Sequence, residues 1–295
     1  MQEVAGLGPA AMLRLARVFG SPEQAVKASP QELMARGGLS EEQAAHMARA
    51  ADSMAALRRR LERLGNHGIT LCSLEDAGYP PGLLDLRSPP PLLHLRGALL
   101  PEDARAVSVV GSREPDQAGR RLARRLAQGL SERGFTIVSG LARGIDTAAH
   151  RGALASRAGR TIAVLGCGIL HIYPPENGML ASRIARRGCL LSEVPPETEV
   201  DRRFLLARDR LQAALSQAVI VVQAYAQCGS IVTARHAQRC GRRLYGVPWQ
   251  ASPFREGWEK LQQLGADPVC DDTDLDDLAG RIGAGLDPQA QRPLT

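Results

Sequence analysis

Three short segments bring glycine and hydroxyl side chains together, and two of them add an arginine. These residue types hold phosphate. The segments are Gly111-Ser112-Arg113, Ser139-Gly140-Leu-Ala-Arg143-Gly144 and Gly229-Ser230-Ile-Val-Thr233. Each follows an apolar run and leads into helical periodicity, so each is expected near a helix N-terminus, where free N–H groups and the helix dipole favour an anion. Glycine lets a ligand approach the backbone, and the guanidinium of Arg113 or Arg143 can engage two phosphate oxygens at once. A fourth segment, Leu206-Ala-Arg208-Asp209-Arg210, sets two arginines around an aspartate. It reads either as an internal ion pair or as further cations for the same groove. Asp146 and His150 are four apart on one helix face, and no nucleophile is tied to them by sequence, so the structural reading is preferred.

Several chemistries are disfavoured. Gly111-Ser112-Arg113 lacks the Gly-x-Gly-x-x-Gly pattern and the acid that follows it in dinucleotide sites, and no Gly-x-x-x-x-Gly-Lys-Ser/Thr loop is present. The six cysteines are scattered, without a Cys-x-x-Cys pair or clustered histidines, which signals neither zinc nor disulfides and fits reduced thiols in the cytoplasm. No catalytic residue, metal or cofactor is expected.

The elements that must position these loops read as follows. Apolar runs at 106–110, 135–139, 161–166, 188–193, 218–223 and 243–247, with helical stretches between them, predict an α/β fold: a mostly parallel sheet with helices on both faces. In such a sheet all strand-to-helix loops line one edge, so the three loops form one groove. Leu122, Leu126 and Leu130 make the buried stripe of one helix, with Arg120, Arg121, Arg124 and Arg125 opposite. Residues 1–64 read as a small helical domain. Gly6-Leu-Gly-Pro9 there suggests a helix-hairpin-helix turn or a plain helix start, Leu13, Ala16 and Val18 are candidates for its core, and Ser29-Pro-Gln-Glu32 has capping-box spacing. Residues 65–100, rich in proline, read as an extended connector packed on the core, with Ile69–Ser73 a candidate short strand within it. The α/β domain is expected over 101–275, with 257–265 as its last helix. Residues 276–295 are expected to be a tail, disordered after about 280, with no winged helix.

The totals agree with a polyanionic partner. With 37 basic and 31 acidic residues the 295-residue chain carries a net charge of +6, and its pI is near 9.3. Aromatic residues are only 3% of the chain, which disfavours a broad base-stacking platform and leaves phosphate as the main contact. The N-terminus lacks the basic and apolar regions of a signal peptide, and no run reaches the roughly 18 apolar residues of a membrane span.

With these residues in hand, the chain resembles the DNA-processing protein A family (DprA or Smf). The similarity is carried by Val109-Val-Gly-Ser-Arg113, Ser139-Gly-Leu-Ala-Arg-Gly-Ile-Asp146 with Ala148-Ala-His150, Thr161-Ile-Ala-Val-Leu-Gly166 with Tyr173-Pro174, Leu191-Ser-Glu193, Arg208-Asp-Arg210, Gly229-Ser230 with Thr233-Ala234, and Val247-Pro248. The resemblance implies a Rossmann-like protein preceded by a helix-hairpin-helix or SAM-like module. It also implies a non-enzymatic, cytoplasmic homodimer that binds single-stranded DNA, protects it and helps load the RecA recombinase in natural transformation. Carried onto this chain, it assigns DNA contacts to Gly111, Ser112, Arg113, Arg143, Arg208, Arg210, Gly229, Ser230 and Thr233. Four departures bear on affinity. Asp209 stands where the family usually has Asn, Cys228 where serine is common, and Trp249 where glycine follows Val-Pro, while the Phe204–Arg208 spacing is one residue longer. The alternatives are a phosphoribohydrolase-like enzyme that cleaves nucleotides, disfavoured because the 226–233 loop has no glutamate, and a nucleotide-sensing regulator using the same groove.

Overall fold

The computed structural model describes residues 7–51 and 54–284. Among the described residues five helices come first: α1 (Pro9–Phe19), α2 (Pro22–Lys27), α3 (Pro30–Ala35), α4 (Glu41–Ala51) and α5 (Met54–Asn66). A core of Leu7, Met12, Leu15, Phe19, Ala25, Leu33, Leu39, Ala44 and Met47 holds the first four together. The inward stripe of α1 is therefore Met12, Leu15 and Phe19, and the expected Leu13, Ala16 and Val18 lie half-buried beside it. Met12, Leu15 and Phe19 stand three and four apart and so share one helix face, which Leu13 and Ala16 flank. The capping box forms as the spacing predicts: the Glu32 N–H donates to Ser29 Oγ at 3.3 Å, and the Ser29 N–H donates to Glu32 at 2.9 Å. Glycine and proline punctuate both ends of α1, with Pro9 in its first turn and Gly20 left-handed at its C-cap.

Nine strands then build one sheet: β1 (Ile69–Ser73), β2 (Leu92–Gly97), β3 (Ala106–Val110), β4 (Thr136–Ser139), β5 (Thr161–Val164), β6 (Cys189–Ser192), β7 (Ala218–Val221), β8 (Arg243–Gly246) and β9 (Asp267–Pro268). Their order is β1-β2-β6-β5-β4-β3-β7-β8-β9. All neighbours from β6 to β9 pair parallel, while β2 pairs antiparallel with β1 and β6. The segment expected as a connector over 65–100 thus supplies two strands to the sheet itself. Its Leu83, Leu93 and Leu95 enter the core, and the Tyr79 hydroxyl donates to the Pro90 carbonyl at 2.7 Å. Strand β1 lies at the run Ile69–Ser73 that the sequence marks as a candidate strand, whereas β2 was hidden by the prolines at 89–91 just before it.

Helices cover both faces, as the continuous apolar strands require. On one side lie α6 (Gln117–Glu132), α7 (Ile145–Ala153) and α8 (Gly178–Arg187), and on the other α9 (Arg202–Ala214) and α10 (Gly229–Arg239). The alternation is visible in β3: Val107 and Val109 pack on Leu122, Leu126 and Ile145, while Ala106 faces Leu211 and Val110 faces Ile231. The helix expected over 257–265 is α11 (Phe254–Gln263), and it is not the last. A twelfth helix, α12 (Leu275–Gly283), occupies the start of the expected tail. Asp274 caps it by accepting the Asp276 N–H at 2.7 Å, and its Leu278 and Ile282 are buried in the α6 core. Gly129 of α6 makes room, because a Cβ there would lie 2.3 Å from Leu275. The remainder of the expected tail, 285–295, lies outside the described residues.

The chain lays down β3, β4, β5 and β6 in one direction and then returns to place β7, β8 and β9 on the far side of β3. The loops after β3 and β7 therefore leave in opposite directions. A crevice at the carboxyl ends of these two strands follows from that topology.

Candidate nucleic-acid interface at the switch point

The crevice is an open cleft of about 690 Å³. Seven of the nine expected contact residues line it: Gly111, Ser112, Arg113, Arg208, Gly229, Ser230 and Thr233. Arg143 lies in the adjoining hollow with Tyr173 and Gly140, its side chain 63% exposed and its guanidinium paired with Glu176. Arg210 is brought elsewhere. Two positions past Arg208 on α9 it points to another side of the helix, donating to Glu193 and, at 3.3 Å, to the Ser88 carbonyl. There it ties α9 to the end of β6 and to the chain before β2.

The three loops differ in what they offer an anion. After β3, Ser112 is buried: its N–H donates to the Gln223 carbonyl at 2.6 Å and its Oγ accepts the Glu114 N–H at 3.0 Å. Gly111 is small for packing, since a Cβ there would lie 2.7 Å from both the Gln223 carbonyl and Ile145. The helix that follows, α6, is already capped by Asp116, which accepts the Gly119 N–H at 2.7 Å. This loop therefore contributes the exposed Arg113 side chain and no open helix end.

The loop after β4 is occupied from within. Asp146, in the first turn of α7, accepts the Gly140 and Ala142 N–H groups at 3.0 and 3.3 Å, and the Ile145 N–H donates to the Ser112 carbonyl. Gly144 at φ +76° makes the turn, and a Cβ there would lie 2.3 Å from the Ser112 carbonyl. Ser139 donates to the Val109 carbonyl inside the sheet. Asp146 and His150 do not bond each other; the His150 Nδ1 meets Thr161 Oγ1 at 2.7 Å. Since the Thr161 hydroxyl donates to the Ile137 carbonyl, His150 carries its proton on Nδ1. Burial pushes His150 down to about 3, so it stays neutral.

Neither α7 nor α10 has a side-chain cap, but the first turn of α7 carries the Asp146 carboxylate and its Ile145 N–H is taken by Ser112, whereas the first turn of α10 carries no acid. α10 begins at Gly229 with Cys228 in the N-cap position and no side chain capping it. Thr233 Oγ1 donates back to the Gly229 carbonyl at 3.3 Å, and Ser230 Oγ lies 2.9 Å from Cys228 Sγ. Beneath this end sits the floor of the cleft. The Arg208 side chain is 6% exposed, and its guanidinium donates to the Val164 carbonyl and pairs with Asp209 at 3.2 Å. Gly140 permits this, because a Cβ there would fall 1.9 Å from Arg208 Nη1. Gln212, with its amide oxygen 2.8 Å from the Gly140 N–H and its NH2 3.2 Å from Asp209, closes the network. Burial pushes the Asp209 carboxyl up to about 6; Asp146 adds to the shift, and Arg208 and Arg113 oppose it. Asp146 is raised for the same reason, with Arg208 again opposing.

Sequence reasoning missed the outer walls. Tyr173, Tyr225, Val200, Leu205, Leu206 and Arg202 all line the cleft. Tyr173 was visible only as part of the resemblance, and Arg202 is exposed one helical turn and a half before Arg208. Trp249, one of the departures, faces away from this chemistry: it packs on the α6 core and its indole N–H donates to the Val222 carbonyl.

A Rossmann-like sheet with an arginine-bearing cleft at its switch point defines an anion-binding α/β protein. Comparison with known proteins narrows the class. The family described as DNA recombination-mediator protein A matches residues 70–280, and the chain belongs to it. It is 37% identical to protein Smf of Synechocystis over 83% of this chain and 62% of that one, so it spans about three fifths of that relative's length. It is 36% identical to DNA processing protein DprA of Bacillus subtilis over 74% of each chain. Among solved structures it superposes on DNA processing protein A of Streptococcus pneumoniae with a TM-score of 0.81 at 29% identity, covering 99% of this chain and 96% of that one. The Helicobacter pylori protein, whose structure is described for its single-stranded DNA binding mode, gives a TM-score of 0.65 at 29% identity over 73% and 96%.

Proposed function

We propose that this protein binds single-stranded DNA along the switch-point cleft and, as a cytoplasmic homodimer, passes the strand to the RecA recombinase. The observation that carries the reading is the pairing of exposed Arg113 with the uncapped start of α10 across one open cleft, in a family with a member described as binding single-stranded DNA. An arginine and a helix N-terminus facing each other suit a phosphodiester backbone, which offers anionic oxygens on successive units. Binding then depends on phosphate more than on base sequence. The cleft volume falls within the range of small-ligand sites, so volume alone does not separate a strand from a mononucleotide. What favours the strand is shape: the cleft continues past Arg208 into the hollow of Arg143 and Tyr173.

No chemical step belongs to this reading. The buried carboxylates Asp146 and Asp209 are engaged by Arg208, Gln212 and backbone N–H groups, which is the environment of a scaffold. A fluorescent oligo-dT strand titrated with the protein and then challenged with nucleoside monophosphates separates the alternatives. The expected outcome is saturable binding, no displacement at micromolar mononucleotide and no release of free base. Displacement would instead support a nucleotide sensor, and free base would support a phosphoribohydrolase-like enzyme.

A further inference from the structure

A cleft built only for phosphate has no use for exposed apolar walls, yet this one has them. Tyr173, Val200, Leu206 and Tyr225 are 38–41% exposed, and all four line it. Exposed apolar surface gathered in one concave place marks contact with an apolar partner surface. In a nucleic acid that surface is the face of a base. Tyr225 is the best placed of the four. It stands in the β7–α10 loop, four residues before Gly229, and its ring is backed by Phe254 at the start of α11, with centroids 5.3 Å apart and planes at 50°. A tilted aromatic contact of that kind holds a ring in one orientation and is worth more than its buried area alone. The same loop thus presents a braced π face and an uncapped helix end together.

We propose that Tyr225, braced by Phe254, is a base-stacking platform that takes the free face of a nucleobase whose phosphate rests at the start of α10. The proposal rests on the single-strand reading above. It adds a source of strand discrimination: in a duplex each base face is already covered by its neighbours, so the ring gains nothing from a duplex that phosphate contacts would not give equally. Sequence tolerance follows as well, because every base has a π face.

The test compares two strands of equal length and equal phosphate charge, oligo-dT and an abasic strand of tetrahydrofuran units, by anisotropy at one salt concentration. Wild type, Tyr225→Leu and Tyr225→Phe are measured on both. Leucine keeps apolar bulk without a π face, and phenylalanine keeps the face without the hydroxyl. Tyr225→Leu is expected to lose about fivefold or more on oligo-dT and to stay within about twofold of wild type on the abasic strand, while Tyr225→Phe matches wild type on both. An equal loss on the two strands, or no loss on oligo-dT, would overturn the platform while leaving phosphate binding in place. If wild type binds neither strand, the single-strand reading itself fails and the platform falls with it.

Discussion

Asp209 is the residue whose chemistry most affects the cleft. Its carboxyl is met by Arg208 on its own helix, by Asp146 from α7, by Arg113 from the β3 loop, and by Gln212, while its Oδ2 would lie 3.3 Å from a Cβ at Gly229 on α10. Burial raises it from an ordinary 3.8 to about 6. The ionised form therefore costs stability: the contribution of this group is full below its unfolded value and is lost as pH rises through about 6. An incoming phosphate favours the protonated form for the same Coulombic reason. Affinity for a single strand is thus expected to increase as pH falls from 7.5 to 5.5, a window in which His150, held near 3, and His94, held near 4, stay neutral. One charge beside a phosphate is worth about 1 kcal/mol in water and about 4 at an effective dielectric of 20, so Asp209→Asn should tighten binding on the order of tenfold at pH 7.5. The variant should also lose most of the pH dependence and melt higher at pH 7.5. Anisotropy at both pH values and a thermal melt check this, and an unchanged pH profile in Asp209→Asn would remove Asp209 from the account. The sequence marked this acid as an anomaly beside a phosphate path. Its burial was not legible, because that depends on Gln212 and the start of α10 at Gly229 lying against it in the fold.

At the scale of elements, α9 decides which expected arginines reach the cleft. In the sequence the triplet Arg208-Asp209-Arg210 reads either as an internal ion pair or as further cations for the groove, but successive helix positions are about 100° apart, and only packing shows which one faces the groove. Arg208 goes beneath Gly140 and Arg210 goes to Glu193. Removing Arg210 takes its cation from the buried Glu193 carboxylate and a donor from the Ser88 carbonyl, so Arg210→Ala should cost about 3 kcal/mol and lower Tm by roughly 5–10 °C. Single-strand affinity of the folded variant should stay near wild type, because Arg210 does not line the cleft. Denaturation and anisotropy on the same preparation test both halves; a large loss of affinity without a loss of stability would return Arg210 to the DNA path. The helix starts show the same limit. Periodicity located α6, α7 and α10 behind their glycine loops, but whether each start was open depended on Asp116 and Asp146, three and two residues beyond the glycine patterns. Tyr225 and Phe254 escaped notice for a related reason: 29 positions separate them, and only the adjacency of β7 and β8 brings their loops together.

For the whole molecule, the parallel sheet was the most legible feature, because β-branched runs alternating with amphipathic helices admit few other packings. Strand β1 showed as a short apolar run at 69–73, but β2, flanked by prolines, and helix α12, too short to show a period, were not legible. The topology then makes the argument for function: reversal of strand order beside β3 sets Arg113 opposite the start of α10. A net charge of +6 adds long-range attraction for a polyanion, and that attraction is screened by salt. The most direct test of the central claim is the salt dependence of affinity for a single strand and for a duplex of the same length, in wild type and Arg113→Ala. The account predicts tighter binding of the single strand, a log–log slope of about −0.7 per phosphate contacted, and a slope about 0.7 shallower in Arg113→Ala. Equal affinity for strand and duplex, with the same slope in both proteins, would contradict it.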